Sequence, residues 1–257
     1  ETAGFLPALC LHSVRVPKLI PMNKILFVCL LWASLQAFAQ ENVTYQRPPD
    51  DIAKLVEAPL TPAINISHDN EWMIFLERSD YPTIEELSRP ELRIAGIRIN
   101  PDNFGPSRAT YFIGIKLKKL SDNQEFQIKN LPSPLLMSNI NFSPDSKKIA
   151  FLQNGSDKIE LYVIDVETMT ASKITERRVN SVVVGSYSWL PDSQQILFTA
   201  VSEKISAPPA KSRVPVGPVV EENLGKKAPN RTYQDLLKSP HDETLFEYYA
   251  TSELVLK

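Results

Sequence analysis

Between residues 140 and 152 apolar positions alternate with polar ones on both sides of a short turn, with Ile140 and Phe142 before it and Ile149 and Phe151 after it. A period of two marks strands that bury one face, so the stretch predicts a hairpin. The pattern recurs over 64–76 and 187–199, with Asp69, Asp145 and Asp192 at one equivalent position and Phe75, Phe151 and Phe198 at another. A repeat defines a building unit and outranks any single motif. The connecting residues Ser143-Pro144-Asp145-Ser146 and Leu190-Pro191-Asp192-Ser193 suit a type I turn, because proline presets the second dihedral and aspartate accepts from nearby amides. In the first copy His68 replaces the proline and Asn70 follows, a residue that tolerates the left-handed conformation.

After the central hairpin come two more strand-like runs, 159–166 and 171–175, separated by a polar turn at 167–170. That makes four strands. The step from Asp145 to Asp192 is 47 residues, close to the length of one four-stranded propeller blade, roughly 40 to 50 residues. The expected fold is therefore all-β, a partial β-propeller of four-stranded blades with short helical insertions. From Asp69 to Asp145 the step lengthens to 76, so the first blade is expected to carry an insertion over 81–105. A helical turn is predicted around 84–87, a polar loop at 100–103, and strands again at 110–117 and 125–129. Ahead of the repeats, Asp50 opens a short helical pattern with Ile52, Leu55 and Val56 on one face, and Pro59 stops it. Beyond them, 207–229 is rich in proline and lysine and reads as an extended loop or a mobile linker. Two short helices are predicted at 233–238 and 242–250, the second with Leu245, Phe246 and Tyr249 at helical spacing, then a strand at 252–256 that stops in mid-blade.

The 257 residues suffice for a sizeable core, and a formal charge of −2 with interspersed signs excludes a phosphate-tracking nucleic-acid binder. The start of the chain changes the picture more. Met22-Asn23-Lys24, an apolar run over 25–35 and Ala37-Phe38-Ala39 before Gln40 have the form of a cleaved signal peptide over 22–39. The run is too short to span a bilayer, which takes about 20 residues, so no membrane association is expected after cleavage. Residues 1–21 then read as an upstream or non-native extension, and 40–257 as an incomplete amino-terminal propeller domain, exported to the periplasm or secreted. Cys10 and Cys29 both precede the cleavage point, so the mature chain has no thiolate nucleophile, disulfide or thiolate metal ligand.

Chemistry is otherwise sparse. The Gly-x-Ser-x-Gly elbow of a serine hydrolase is absent, and Gly185-Ser186-Tyr187-Ser188 reads as a strand entry. Only His68, in a repeat turn, and His241, in a polar loop between the short helices, could serve as a base in the mature chain, and both read as solvated. The pairs Asp102-Asn103, Asp122-Asn123 and Asp242-Glu243 lack the spacing of a calcium loop and read as turns. No catalytic, cofactor-binding or metal-ligating residue is assigned to any position, and no cofactor is expected.

The hairpins look like those of periplasmic TolB-type proteins and of the prolyl oligopeptidase family. Segments outside the repeats distinguish the two. Arg47-Pro48-Pro49 with Ile52 and Val56-Glu57-Ala58-Pro59, then Leu92-Arg93-Ile94-Ala95-Gly96-Ile97-Arg98-Ile99, resemble the amino-terminal part of glutamyl endopeptidases in that family. Val214-Pro215-Val216-Gly217-Pro218, the run 231–238 and the run 245–252 are similar too. The resemblance implies a serine peptidase cleaving after glutamate, with a propeller that restricts access to an α/β-hydrolase domain carrying a Ser-Asp-His triad. That domain is not in this sequence, so the chain alone is expected to be inactive, and peptide substrates would be engaged through the missing domain. The alternative is a TolB-like periplasmic propeller acting as an interaction module without enzymatic activity. A partial ring leaves an apolar blade face uncovered, so poor solubility is expected for 40–257 alone.

Overall fold

The computed structural model describes residues 46–79, 81–183, 185–214, 217–218, 224–225, 227 and 233–257. The expected extension over 1–21 and signal peptide over 22–39 lie outside them, as does much of the proline-rich stretch. The chain divides into Glu1–Glu57 and Ala58–Lys257. In the first unit, α1 (Asp50–Val56) starts after Pro49 and carries Asp50 and Asp51 in its first turn and Lys54 in its last, charges that complement the helix dipole. Arg47 pairs with Glu57 at 3.2 Å.

The second unit is built of antiparallel meanders. The first consists of β1 (Ala63–Ile66) and β2 (Trp72–Arg78), followed by an insertion holding α2 (Ile84–Ser88), β3 (Leu92–Ile94), β4 (Ile97–Asn100) and β5 (Gly105–Pro106), and then by β6 (Phe112–Lys119) and β7 (Glu125–Gln127). Pairing runs β1-β2-β6-β7, so the insertion separates the second strand from the third. The second meander is β8 (Met137–Phe142), β9 (Lys148–Asn154), β10 (Ile159–Asp165) and β11 (Thr170–Lys173). Backbone pairing between the two is confined to Phe112 with Met137 and a parallel bridge of Lys129 with Thr170, so they form separate blades. The third comprises β12 (Tyr187–Trp189), β13 (Ile196–Val201) and, after an insertion carrying α3 (Pro240–Ala250), β14 (Ser252–Leu256). Every repeat hairpin and every strand predicted along the chain is present to within a few residues.

The predicted helix at 233–238 is not. Asp235 has φ +56°, a left-handed residue that a helix does not accept. Helix α3 instead begins at Pro240, whose missing amide costs nothing in the first turn. Ser239 caps it, accepting from the Asp242 amide at 3.2 Å. His241 therefore lies in the first turn of a helix rather than in the polar loop expected.

The blades stack face to face. Phe151 packs with Ile74, Leu76, Ile115 and Leu117 of the first blade. Its chain neighbours Ala150 and Leu152 point the other way, where Leu161, Ile196 and Phe198 meet them. The middle blade is thus buried on both sides, and residues 149–154 are all buried. The three repeat phenylalanines keep one orientation in their hairpins, and Phe151 and Phe198 face the preceding blade. Phe75 pairs with Ile64 and Phe198 with Tyr187 at matching register. Phe151 sits opposite the register shift between Ser138 and Asn141. Full burial of a phenylalanine contributes roughly 2–3 kcal/mol, so Phe151 and Phe198, at 0% and 1% exposure, stabilise contacts between blades and not only within their own hairpins.

Each turn of the repeat is held from inside. The Ser143 hydroxyl donates to the Asp145 carboxylate at 2.6 Å, and that carboxylate accepts from the Lys147 amide at 3.2 Å. These bonds, the serine's above all, hold the Asp145 carboxyl below its ordinary range. Asp69 has the same arrangement with Ser67 and the Glu71 amide.

Candidate functional surface

Both insertions leave from the connection between second and third strands, so in an antiparallel meander they emerge at one end of the blades, opposite the Ser-Pro-Asp-Ser turns. There they pack together. Ile94, Ile99 and Phe104 of the first insertion meet Val182, Val201 and Tyr249, with Leu245, Phe246 and Tyr248 of α3 against them. The Phe104 and Tyr249 rings are 5.1 Å apart and the Tyr248 and Tyr249 rings 4.9 Å. The periodicity that predicted α3 is what turns Leu245, Phe246 and Tyr249 onto this cluster.

Polar ties fix the arrangement. Asn180, 2% exposed, donates through Nδ2 to the Tyr249 carbonyl at 2.8 Å and the Thr251 carbonyl at 3.0 Å, while its Oδ1 accepts from the Val182 amide at 3.1 Å. The Asn103 side chain donates to the Gly155 carbonyl at 2.9 Å, seating the first insertion on the β9–β10 turn of the middle blade. Arg177 reaches Glu253 at 2.6 Å, and Ser202 donates to the same carboxylate at 2.6 Å. Those two bonds, Ser202 first, hold the Glu253 carboxyl low.

Candidate ligand surfaces lie on both insertions. A groove of about 450 Å³ runs between the 202–209 segment and α3, lined by Lys204, Ile205, Pro209, Glu247 and Tyr248. Tyr248 donates to the Ser206 carbonyl at 2.7 Å across it. On the first insertion, three guanidinium groups surround Glu91: Arg93 at 2.7 Å, Arg108 at 3.3 Å and Arg98 at 3.9 Å. The Ser107 hydroxyl donates to Glu91 at 2.7 Å and is the main cause of its lowered pKa, with Arg93 and Arg108 adding to it.

No hydrolytic constellation forms among the described residues. His68 is exposed in the β1–β2 turn and His241 half-buried in α3, and no hydrogen bond joins either to a serine. The acidic pairs serve local geometry. Asn100 Oδ1 accepts from the Asp102 amide, Asp122 from the Gln124 amide and Asp242 from the Lys238 amide. Among the described residues no group of acidic or histidine side chains could hold a metal ion, and no helix is long and apolar enough to cross a membrane. Sequence reasoning missed Asn180, Arg177 and Glu91. Only the last had a signal: Arg93 and Arg98 fall at mirrored positions about Ala95-Gly96, and the β3–β4 register sets them directly opposite, an arrangement that repels unless an anion lies near.

Face-to-face antiparallel blades, two of four strands and one of three among the described residues, with repeat turns at one end and insertions at the other, define a β-propeller domain. No family model matches the chain. Among curated proteins it is 33% identical over 226 residues to a probable chloroplastic glutamyl endopeptidase of Oryza sativa subsp. japonica, covering 82% of this chain and 24% of that protein. It is likewise 33% identical over 224 residues to the Arabidopsis thaliana protein of the same name, covering 82% and 23%. A solved prolyl endopeptidase matches at 15% identity and a TM-score of 0.36, over 74% of this chain and 24% of that one. The chain is a homologue of the glutamyl endopeptidases, and it spans about a quarter of the length of the curated relatives it matches.

Proposed function

We propose that this chain is the propeller portion of an exported serine endopeptidase that cleaves peptides after glutamate, and that it acts by gating the approach of substrate. The observation that carries this reading is the 33% identity to glutamyl endopeptidases over 82% of the chain, on a structure whose described residues form no nucleophile–base pair. The two insertions supply a rigid, partly apolar surface at one end of the blades, suited to lie against a catalytic domain and narrow its entrance. Export rests on the signal-like stretch at 22–39.

The test has two arms. Purified alone, the chain should leave a Glu-containing peptide intact; hydrolysis blocked by a serine-directed reagent would end the non-catalytic reading. The reading frame of the parent transcript should continue into a Gly-x-Ser-x-Gly elbow and a later histidine. The longer product should cleave short Glu-containing peptides while sparing a folded protein with exposed glutamates. Equal cleavage of both would remove the gating role.

A further inference from the structure

The β3–β4 hairpin has two faces of opposite character. Ile94 and Ile99, 6% and 1% exposed, are sunk into the cluster formed by the two insertions. Side chains alternate along a strand, so their neighbours Arg93 and Arg98, which pair directly across the hairpin, stand on the other face. Arg108 joins them from the segment that follows β5.

The three guanidiniums are held in place by a carboxylate too small in charge to neutralise them. Glu91 has both oxygens engaged: Oε1 accepts from Nε of Arg93, and Oε2 accepts from the Ser107 hydroxyl and lies 3.3 Å from Nε of Arg108. Asp235 adds a second carboxylate, 3.8 Å from Arg98. Its backbone carbonyl accepts from the Gly96 amide at 2.9 Å, which fixes the 233–238 segment on the tip of the hairpin. Three cations against two anions leave an excess of one positive charge. Arg98 has the loosest ties, 3.9 Å from Glu91 and 3.8 Å from Asp235, beyond hydrogen-bond reach of either. Beside Arg93 opens a cavity of about 810 Å³, walled in part by Tyr233, Leu236 and Leu237, large enough for the residues that flank a peptide's acidic side chain.

We propose that Arg93, Arg98 and Arg108 form a carboxylate-binding subsite that takes the glutamate side chain of an incoming peptide at the insertion end of the blades. A guanidinium offers paired, parallel donors that match a carboxylate, and the excess charge favours an anion over a neutral amide of the same shape. Glu91 acts as the positioning group, since it orients the cations from below and is itself satisfied. The proposal rests on the peptidase reading only for the source of its ligand.

The test uses the full chain and two peptides with blocked termini, acetyl-Ala-Glu-Ala-amide and its glutamine counterpart, so that the side chain is the sole carboxylate. The glutamate peptide should bind at least about tenfold more tightly than the glutamine one, and less so as salt is raised. Arg98→Gln should weaken that binding roughly tenfold and leave melting unchanged, because Arg98 is hydrogen-bonded to neither carboxylate. Arg98→Lys keeps the charge without the paired donors and should fall between the two. Equal binding of both peptides, or undiminished binding by Arg98→Gln, would overturn the proposal. In the longer product, Arg98→Gln should raise KM for Glu-containing peptides about tenfold with kcat unchanged; an unchanged KM would show that the cluster does not meet substrate. Binding by this chain without cleavage after glutamate by the longer product would remove the peptidase reading and leave the subsite, and cleavage without binding would do the reverse.

Discussion

The backbone amide of Asp145 donates to Oγ of Ser193, 3.0 Å away and 48 residues further along the chain. The amide of Asp69 does the same to Ser146 at 3.3 Å. The acceptors are almost wholly buried, each 2% exposed, and each is held at positive φ, 62° for Ser146 and 60° for Ser193. Serine has no ease in that conformation. Its retention at both turns is explained by the hydroxyl, which satisfies the neighbouring blade's amide.

The consequence is an unusual ranking of substitutions. Ser193→Ala keeps the backbone strain and loses the bond, and should cost about 1 kcal/mol. Ser193→Gly loses the same bond but relieves a left-handed residue, an effect of similar size and opposite sign, and should lie near the parent. Urea midpoints of the three proteins would check this. An alanine variant as stable as the parent would show that the hydroxyl is idle.

Tyr187 makes the second tie between neighbouring blades. From β12 its hydroxyl reaches the carbonyls of Asn139 and Ala150, the latter at 2.8 Å, and accepts from Asn141 Nδ2 at 3.3 Å. It fills the register shift of the middle blade's inner pair, where Asn139 has φ +48°. Tyr187→Phe should cost about 1–2 kcal/mol, because the carbonyl of buried Ala150 loses its donor. Burial pushes the phenol well above its usual pKa. With the folded value raised, the associated stability is complete below the ordinary pKa of 10.0 and fades as pH rises toward the folded one. In alkaline unfolding the phenylalanine variant should therefore resist better than its own loss at neutral pH suggests.

The blades were legible because alternation, turn chemistry and spacing all agreed at three places. What the sequence hid depends on contacts between distant segments. The β3–β4 hairpin has apolar alternation around a two-residue turn, with φ +53° at Ala95 and +77° at Gly96. Such turns favour Asn or Gly at their first position, so alanine there carried no signal. Asn180 is a lone polar residue whose importance arises from carbonyls 69 and 71 positions away. The extra helix predicted at 233–238 failed for the opposite reason: its apolar pair fitted a helix, and the left-handed Asp235 within it was invisible.

Glu91 gives a prediction in acid. Its side chain is 7% exposed and holds three arginines that are 42–50% exposed. Because the folded pKa is lowered, the stability it contributes is complete above the ordinary value of 4.5 and is lost as pH falls through the folded one. Glu91→Gln keeps one acceptor but removes the charge, and should cost about 1 kcal/mol at neutral pH, discounted for the exposure of its partners. Below about pH 4.5 the gap between parent and variant should close. A gap constant from pH 7 to pH 3 would show that the cluster contributes no charge-dependent stability.

The seating of the first insertion on the middle blade can be tested at one atom. A side-chain carbon added at Gly105 would lie 2.5 Å from Ile159 Cδ1 and 3.1 Å from Asn103 Oδ1. Ile159 is fully buried, so its terminal carbon cannot swing clear into solvent, and Asn103 is engaged by the Gly155 carbonyl. Gly105→Ala should therefore destabilise by about 1–3 kcal/mol, the usual cost of overpacking. Ile159→Val removes the obstructing carbon and by itself should cost about 1 kcal/mol. Combined, the two should cost clearly less than their sum, a coupling of about 1 kcal/mol that only residues in contact display. Strict additivity in thermal melts would mean that the insertion is held over the blade by its polar ties alone, without close packing at Gly105.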